Sequence, residues 1–165
     1  MYYGDSLTGT NASGVVAFDT VSVAGISIEN QPFVAVDQTT NPTVRYDTAG
    51  IFGLSFPSGS EAHEALVVAE SGQIITTDAF VSRTADYAPT LARIAMTNQL
   101  EMPMFSIELQ RSTIDIGGGR GILTVGTLPD GVDNSSLTWV PIRLYSPAEG
   151  GMRPPAFAPD EVYPL

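Results

Sequence analysis

Hydrophobic and polar residues alternate most regularly between Val15 and Val23. Val15, Ala17, Asp19, Val21 and Val23 share one face, and Val16, Phe18, Thr20 and Ser22 share the other. A period of two is that of a strand. Ala24-Gly25 offers a turn, and Ile26 to Val36 reads as a returning strand, so this region predicts a β-hairpin. Pro32 places the second strand at a sheet edge or at a bulge. Residues 49–56, A-G-I-F-G-L-S-F, predict a further strand. Phe52, Leu54 and Phe56 line its bulky face; Ile51, Gly53 and Ser55 line the other, and Gly53 leaves room for a second backbone.

Residues 1–13 are rich in turn formers, and 37–48 are polar and loop-like. Glu61 to Ala69 allows one or two helical turns, and 71–82 is ambiguous. Ala88 to Leu100 has helical spacing at Leu91, Ile94 and Ala95, with Thr84 or Asp86 available as a cap. Met104–Leu109, Gly121–Thr127 and Leu137–Tyr145 alternate as strands, with Trp139 expected in the core. Five prolines in residues 146–165 predict an irregular connector. The pattern is that of a mainly β domain.

The chain has 165 residues, enough for one domain or for part of a larger one. Net charge is −11, and all seven basic residues are arginine. Binding to nucleic acid, which needs a positive footprint, is excluded. A membrane span is excluded too, since no apolar run approaches about 20 residues. With no cysteine there is neither a disulfide nor a thiolate metal site. Met1 leads directly into Tyr2-Tyr3-Gly4-Asp5, so the expectation from these residues is a chain without a signal peptide. Asn11-Ala12-Ser13 and Asn134-Ser135-Ser136 are glycosylation sequons.

Six pieces occur in order: Tyr3-Gly4-Asp5, D-T-V-S-V-A-G-I-S-I-E-N-Q-P-F, A-G-I-F-G-L-S-F, P-M-F-S-I-E-L, G-I-L-T-V-G after a glycine cluster, and L-T-W-V-P-I. Together they resemble the pepsin-type aspartic endopeptidases, in particular the secreted fungal kind, from Tyr3 to about Tyr145. The resemblance implies a pepsin-like acid-protease fold, incomplete here. Residues 1–145 would form part of the N-terminal, barrel-like lobe, and 146–165 the connector toward the second lobe. Members of that family hydrolyse peptide bonds with two aspartates, one from an Asp-Thr/Ser-Gly loop in each lobe. The pair shares a proton and activates water. The resemblance assigns Tyr3, Gly4 and Asp5 to the flap over the substrate, and Ile51 to an apolar substrate pocket. It implies a polypeptide substrate, no cofactor, and an extracellular or vacuolar location.

No Asp-Thr-Gly or Asp-Ser-Gly occurs in the chain, so it supplies no catalytic aspartate. The expectation is a fragment bracketed by the two catalytic loops. It would be inactive alone and have the remainder of the same protease as its partner. The alternative is a non-catalytic, degenerate member that binds peptides or inhibitors. Asp115 precedes the glycine cluster with Ile116 in place of the hydroxyl residue, and Asp47-Thr48 and Asp19-Thr20 lack the glycine; all three read as structural. His63-Glu64 lacks the second histidine of a zinc motif and reads as a helix surface. Gly117–Gly121 lacks the lysine of a phosphate loop and reads as a hairpin.

Overall fold

The computed structural model describes residues 2–5, 7, 9–46, 49–72, 76–109, 121–149 and 151–159. Strands β1 (Tyr2–Asp5), β2 (Thr10–Val23) and β3 (Ile26–Thr39) come first. Helices α1 (Glu61–Ser71), α2 (Thr77–Ser82), α3 (Thr84–Tyr87) and α4 (Thr90–Met96) follow, then strands β4 (Phe105–Glu108) and β5 (Ile122–Val125). The first three strands form one antiparallel sheet in the order β1-β2-β3, and β4 and β5 form a second. The chain is thus mainly β, as its alternation predicts.

The β2–β3 hairpin turns where expected. Val23 faces Ile26, leaving Ala24 and Gly25 between them. Both take positive φ, 51° and 80°. Two such residues make the turn whose twist suits a right-handed strand pair. Glycine does this freely, while Ala24 gives up about 1 kcal/mol to sterics. Pro32 lies on β3, which is an edge of the sheet.

A bulge interrupts the hairpin and decides what its inner face presents. Asp19 faces Gln31 but Val21 faces Ile28, so β3 carries one extra residue at Glu29–Asn30. Asn30 accommodates it with φ 51°, a conformation that asparagine adopts more readily than most residues. The alternation slips by one there. Ile28 and Gln31, three apart, therefore both point inward and are buried, while Phe33 and Val36 beyond the bulge stay partly exposed.

Arg93 of α4 closes on this bulge. Its guanidinium donates to the carbonyls of Asn30 (2.9 Å) and Glu29 (3.1 Å) and to Gln31 Oε1 (3.4 Å). Its Nε donates to the carbonyl of Ala85 (2.9 Å). Gln31 in turn donates from Nε2 to the carbonyls of Ala88 (3.1 Å) and Pro32 (3.0 Å). A fork of fixed donors suits carbonyls that a bulge has removed from their ladder. The core between sheet and helices is completed by Val67, Phe80, Ala88 and Ile94.

Helix α1 starts at Ser60, whose Oγ accepts from the His63 N–H (3.3 Å), with Glu61 and Glu64 in the first turn. It ends at Gly72, φ 83°, after three turns rather than one or two. His63 and Val67, four apart, face inward. The surface reading of His63 is therefore wrong: it is 0% exposed. Its ring stacks on Phe80 with centroids 4.0 Å apart and lies nearly perpendicular to the Tyr87 ring, with centroids 6.4 Å apart. Nε2 lies 3.2 Å from the Phe80 carbonyl, which makes it the N–H donor. Nδ1 is buried without a partner among the described residues.

Three further expectations need correction. The helix expected over 88–100 begins only at Thr90, because Pro89 forces Ala88 to extended geometry (φ −61°, ψ 161°). Thr84 and Asp86 lie within the separate helix α3 and cap nothing at α4. Residues 50–56 and 137–145 form no strand. A strand is held by pairing of its backbone, and neither segment enters a ladder among the described residues. Trp139 is consequently not core but 63% exposed.

By contrast, β4 and β5 pair as read, Phe105 with Val125 through Glu108 with Ile122. The glycine cluster joining them lies outside the described residues. Among the described residues of the expected irregular connector there is one short 3-10 turn, at Pro147–Glu149. Farther on, Pro155 is fully buried and the Ala156 N–H donates to Asp78 Oδ1 of α2 (2.6 Å).

Two predictions follow from this core. Replacing Arg93 by Ala removes charge-assisted bonds from α4 to two other elements, β3 and α3, and lowers unfolding free energy by about 2–4 kcal/mol, with Lys recovering less than half, measured by urea melts. Burial holds the His63 pKa below its ordinary 6.5, against the raising effect of the Phe80 carbonyl. The unfolded chain then binds a proton that the folded chain refuses. Stability is complete above about pH 6.5 and falls as pH drops through the window beneath it. His63→Gln, which keeps a donor for Phe80 but cannot titrate there, flattens that slope in melts run across the same window.

Candidate functional site

The residues assigned to the flap lie on β1, an edge strand. Tyr3 faces Ala12, Gly4 faces Asn11 and Asp5 faces Thr10, so Asp5 is the last paired residue before the hairpin tip. At the tip Leu7 is almost wholly exposed, and Gly9 takes φ 66°. The β1–β2 hairpin is short because turn formers crowd residues 4–9, while the alternating apolar residues begin only beyond them.

What steadies this hairpin is Asn11. Its N–H donates to Thr40 Oγ1 (2.9 Å), and its carbonyl accepts from the Thr40 N–H (2.9 Å) and the Thr39 hydroxyl (2.8 Å). Thr39 also accepts from the Asn41 N–H (3.0 Å). The far end of β3 thereby holds the strand that faces Gly4. Among the described residues β1 has a neighbour on one side only, so its other side presents backbone donors and acceptors to whatever extended chain comes alongside.

Ile51 stands apart from this arrangement. It is 78% exposed on the unpaired 49–56 segment. A Cβ added to Gly53 would meet nothing within 4 Å among the described residues. The space that Gly53 keeps for another backbone is therefore open. Phe52 and Phe56 on the bulky face are also exposed. Neither of two apolar hollows includes a flap residue or Ile51. One, of about 40 Å³, is enclosed by Leu91, Ala95, Leu100, Pro103, Met104, Phe105 and Val125. The other, of about 310 Å³, is bordered by Met102, Met104, Leu128, Asn134 and Trp139.

Of the catalytic look-alikes, Asp19 is an exposed residue of β2 whose Oδ1 accepts from the Thr20 N–H (2.7 Å), a contact with its own chain neighbour. Asp47, Thr48 and Asp115 lie outside the described residues. The sequence reading missed the Arg93 clamp and the contact between Trp139 and Asn134, in which the indole N–H donates to Asn134 Oδ1 (2.8 Å). A signal for the first was present: an arginine within the apolar run Leu91 to Ala95 needs buried acceptors.

The family model for eukaryotic aspartyl proteases matches residues 1–148. Cathepsin E-A of Xenopus laevis is 28% identical over 131 residues, which is 79% of this chain and 27% of that protein. Cathepsin E of Rattus norvegicus is likewise 28% identical, and that of Mus musculus 27%, with the same coverage. The chain thus spans about a quarter of the length of the curated relatives it matches. This chain belongs to the eukaryotic aspartyl protease family.

Proposed function

We propose that the chain is the flap-bearing part of an N-terminal lobe, residues 1–145 with 146–165 leading onward, in a secreted or vacuolar aspartic endopeptidase. The match of the family model across residues 1–148 carries this reading. Peptide hydrolysis belongs to the whole protease, which brings the two catalytic aspartates that this chain lacks. Tyr3, Gly4 and Asp5 lie over an extended polypeptide substrate, and the free edge of β1 offers its backbone to it. Ile51 lines an apolar substrate pocket once the 49–56 segment is paired. The remainder of the same protease is the natural partner of that segment. The acidic, lysine-free composition suits work in acid, where protonation relieves self-repulsion.

A second reading has one observation in its favour. The sheet β1-β2-β3 packs through β3 on helices α1, α3 and α4 of the same chain. A non-catalytic module that binds peptides or inhibitors at the β1 edge needs no more than that.

Activity separates the two. The isolated chain gives no pepstatin-sensitive cleavage of denatured protein at acid pH, whereas the two-lobed protease does. Pepstatin-sensitive cleavage by the chain alone, retained after Asp115→Ala, contradicts the proposal. Substitution at the open face adds a second test. Ile51→Asn and Gly53→Ala change the stability of the chain alone by no more than about 0.5 kcal/mol in urea melts, as expected for exposed positions. Gly53→Val in the two-lobed protease abolishes cleavage, because the added side chain occupies the path of the catalytic loop.

A further inference from the structure

We propose that Asn134 carries an N-linked glycan whose first sugar packs against Trp139. The proposal rests on the secretory reading above, and its argument is local. Asn134 opens a 3-10 turn, Asn134–Ser136, on an exposed loop. The turn holds itself together. Asp133 Oδ1 accepts from the Ser135 N–H (2.7 Å), the Ser136 hydroxyl donates to the Asp133 carbonyl (2.6 Å), and the Leu137 N–H donates to the Asn134 carbonyl (3.2 Å). Bonds from Ser135, side chain first and backbone second, also hold the Asp133 carboxyl below its ordinary range, so the cap persists into acid.

The Asn134 amide is oriented by chemistry rather than by choice. An indole N–H can only donate, so the amide atom it meets at 2.8 Å is the oxygen. Nδ2 is on the other side of the amide carbon and has no hydrogen-bond partner among the described residues. Asn11, the other sequon, is half-buried in the middle strand of the first sheet, its backbone tied to Thr39 and Thr40.

Trp139 supplies the second observation. It is the single tryptophan of the chain and largely exposed. With Met102, Met104 and Leu128 it borders the 310 Å³ hollow beside Asn134. An apolar floor, an open aromatic face and a polar rim suit a ring with C–H groups on one face and hydroxyls around its edge. A sugar on Nδ2 is such a ring, tethered at that rim. In the transfer, Nδ2 forms a bond to sugar C1. The C1–O bond that joins the oligosaccharide to its lipid pyrophosphate carrier breaks, the lipid pyrophosphate leaves, and Nδ2 releases one proton.

The test secretes the full chain from a eukaryotic host behind an added leader, so that entry to the pathway is imposed. The native location is scored separately in the organism's own cells, and failure of that reading leaves this result intact. Peptide mass spectrometry finds Asn134 occupied in the wild type and in Ser136→Thr, and bare in Ser136→Ala. Trimming to one N-acetylglucosamine leaves the tryptophan emission unchanged. Complete removal of the glycan shifts it to longer wavelength, matching Ser136→Ala. An unoccupied Asn134 in the secreted wild type overturns the proposal. So does an occupied Asn134 whose complete deglycosylation leaves the emission where it was.

Discussion

The Arg93 guanidinium on the β3 bulge is the contact on which the rest of this structure depends. The bulge brings Ile28 and Gln31 to the same face, and in doing so removes two carbonyls from their ladder. Left unpaired, such groups cost more than the apolar contact gains. One planar cation from α4 answers both carbonyls and reaches back to Ala85 of α3. Gln31 extends the same network to Ala88, where the chain turns into α4. Sheet and helices are thus joined through backbone acceptors, and the apolar residues Val67, Phe80 and Ile94 fill the space this fixes.

From that anchored sheet, the hairpin bearing Tyr3, Gly4 and Asp5 projects as an edge. Asn11 ties its inner strand to the end of β3. The position proposed for a flap is therefore supported from below and open on its outer side. The helices contribute a separate property. A histidine sealed between α1 and Phe80 makes their packing sensitive to acid, although the surrounding composition favours acid working conditions. The Tyr87 ring, nearly perpendicular to this histidine, is held at its far end, where its hydroxyl donates to Glu70, which also pairs with Arg83 at 2.8 Å.

Where pairing is local, the sequence was readable. The hairpin over Val15–Val23 and Ile26–Val36, its Ala24-Gly25 turn, the edge position implied by Pro32 and the β4–β5 pair all depend on neighbours close in the chain. Where a segment enters no ladder among the described residues, alternation misled. Residues 50–56 and 137–145 have the pattern of buried strands but no ladder here, so Phe52, Phe56 and Trp139 stay exposed. Helix limits failed at Pro89, whose effect on Ala88 outweighed the apolar spacing that followed. His63 was misread because a single polar residue carries no sign of the Phe80 ring that α2 brings to it. The proposed site is legible in the same uneven way. Tyr3, Gly4 and Asp5 sit on a strand paired with the next one in the chain, whereas Ile51 lies on a segment that enters no ladder among the described residues.

The central claim is that the 49–56 segment is a strand awaiting its partner, supplied by the rest of an aspartic protease. Hydrogen exchange at the backbone amides of residues 50–56 tests it most directly, followed in this chain alone and in the two-lobed protease. The account predicts fast exchange in the isolated chain and strong protection in the complete protease, with the amides of β2 and β3 protected in both. Equal exchange at residues 50–56 in the two proteins, whether fast or slow, would contradict it.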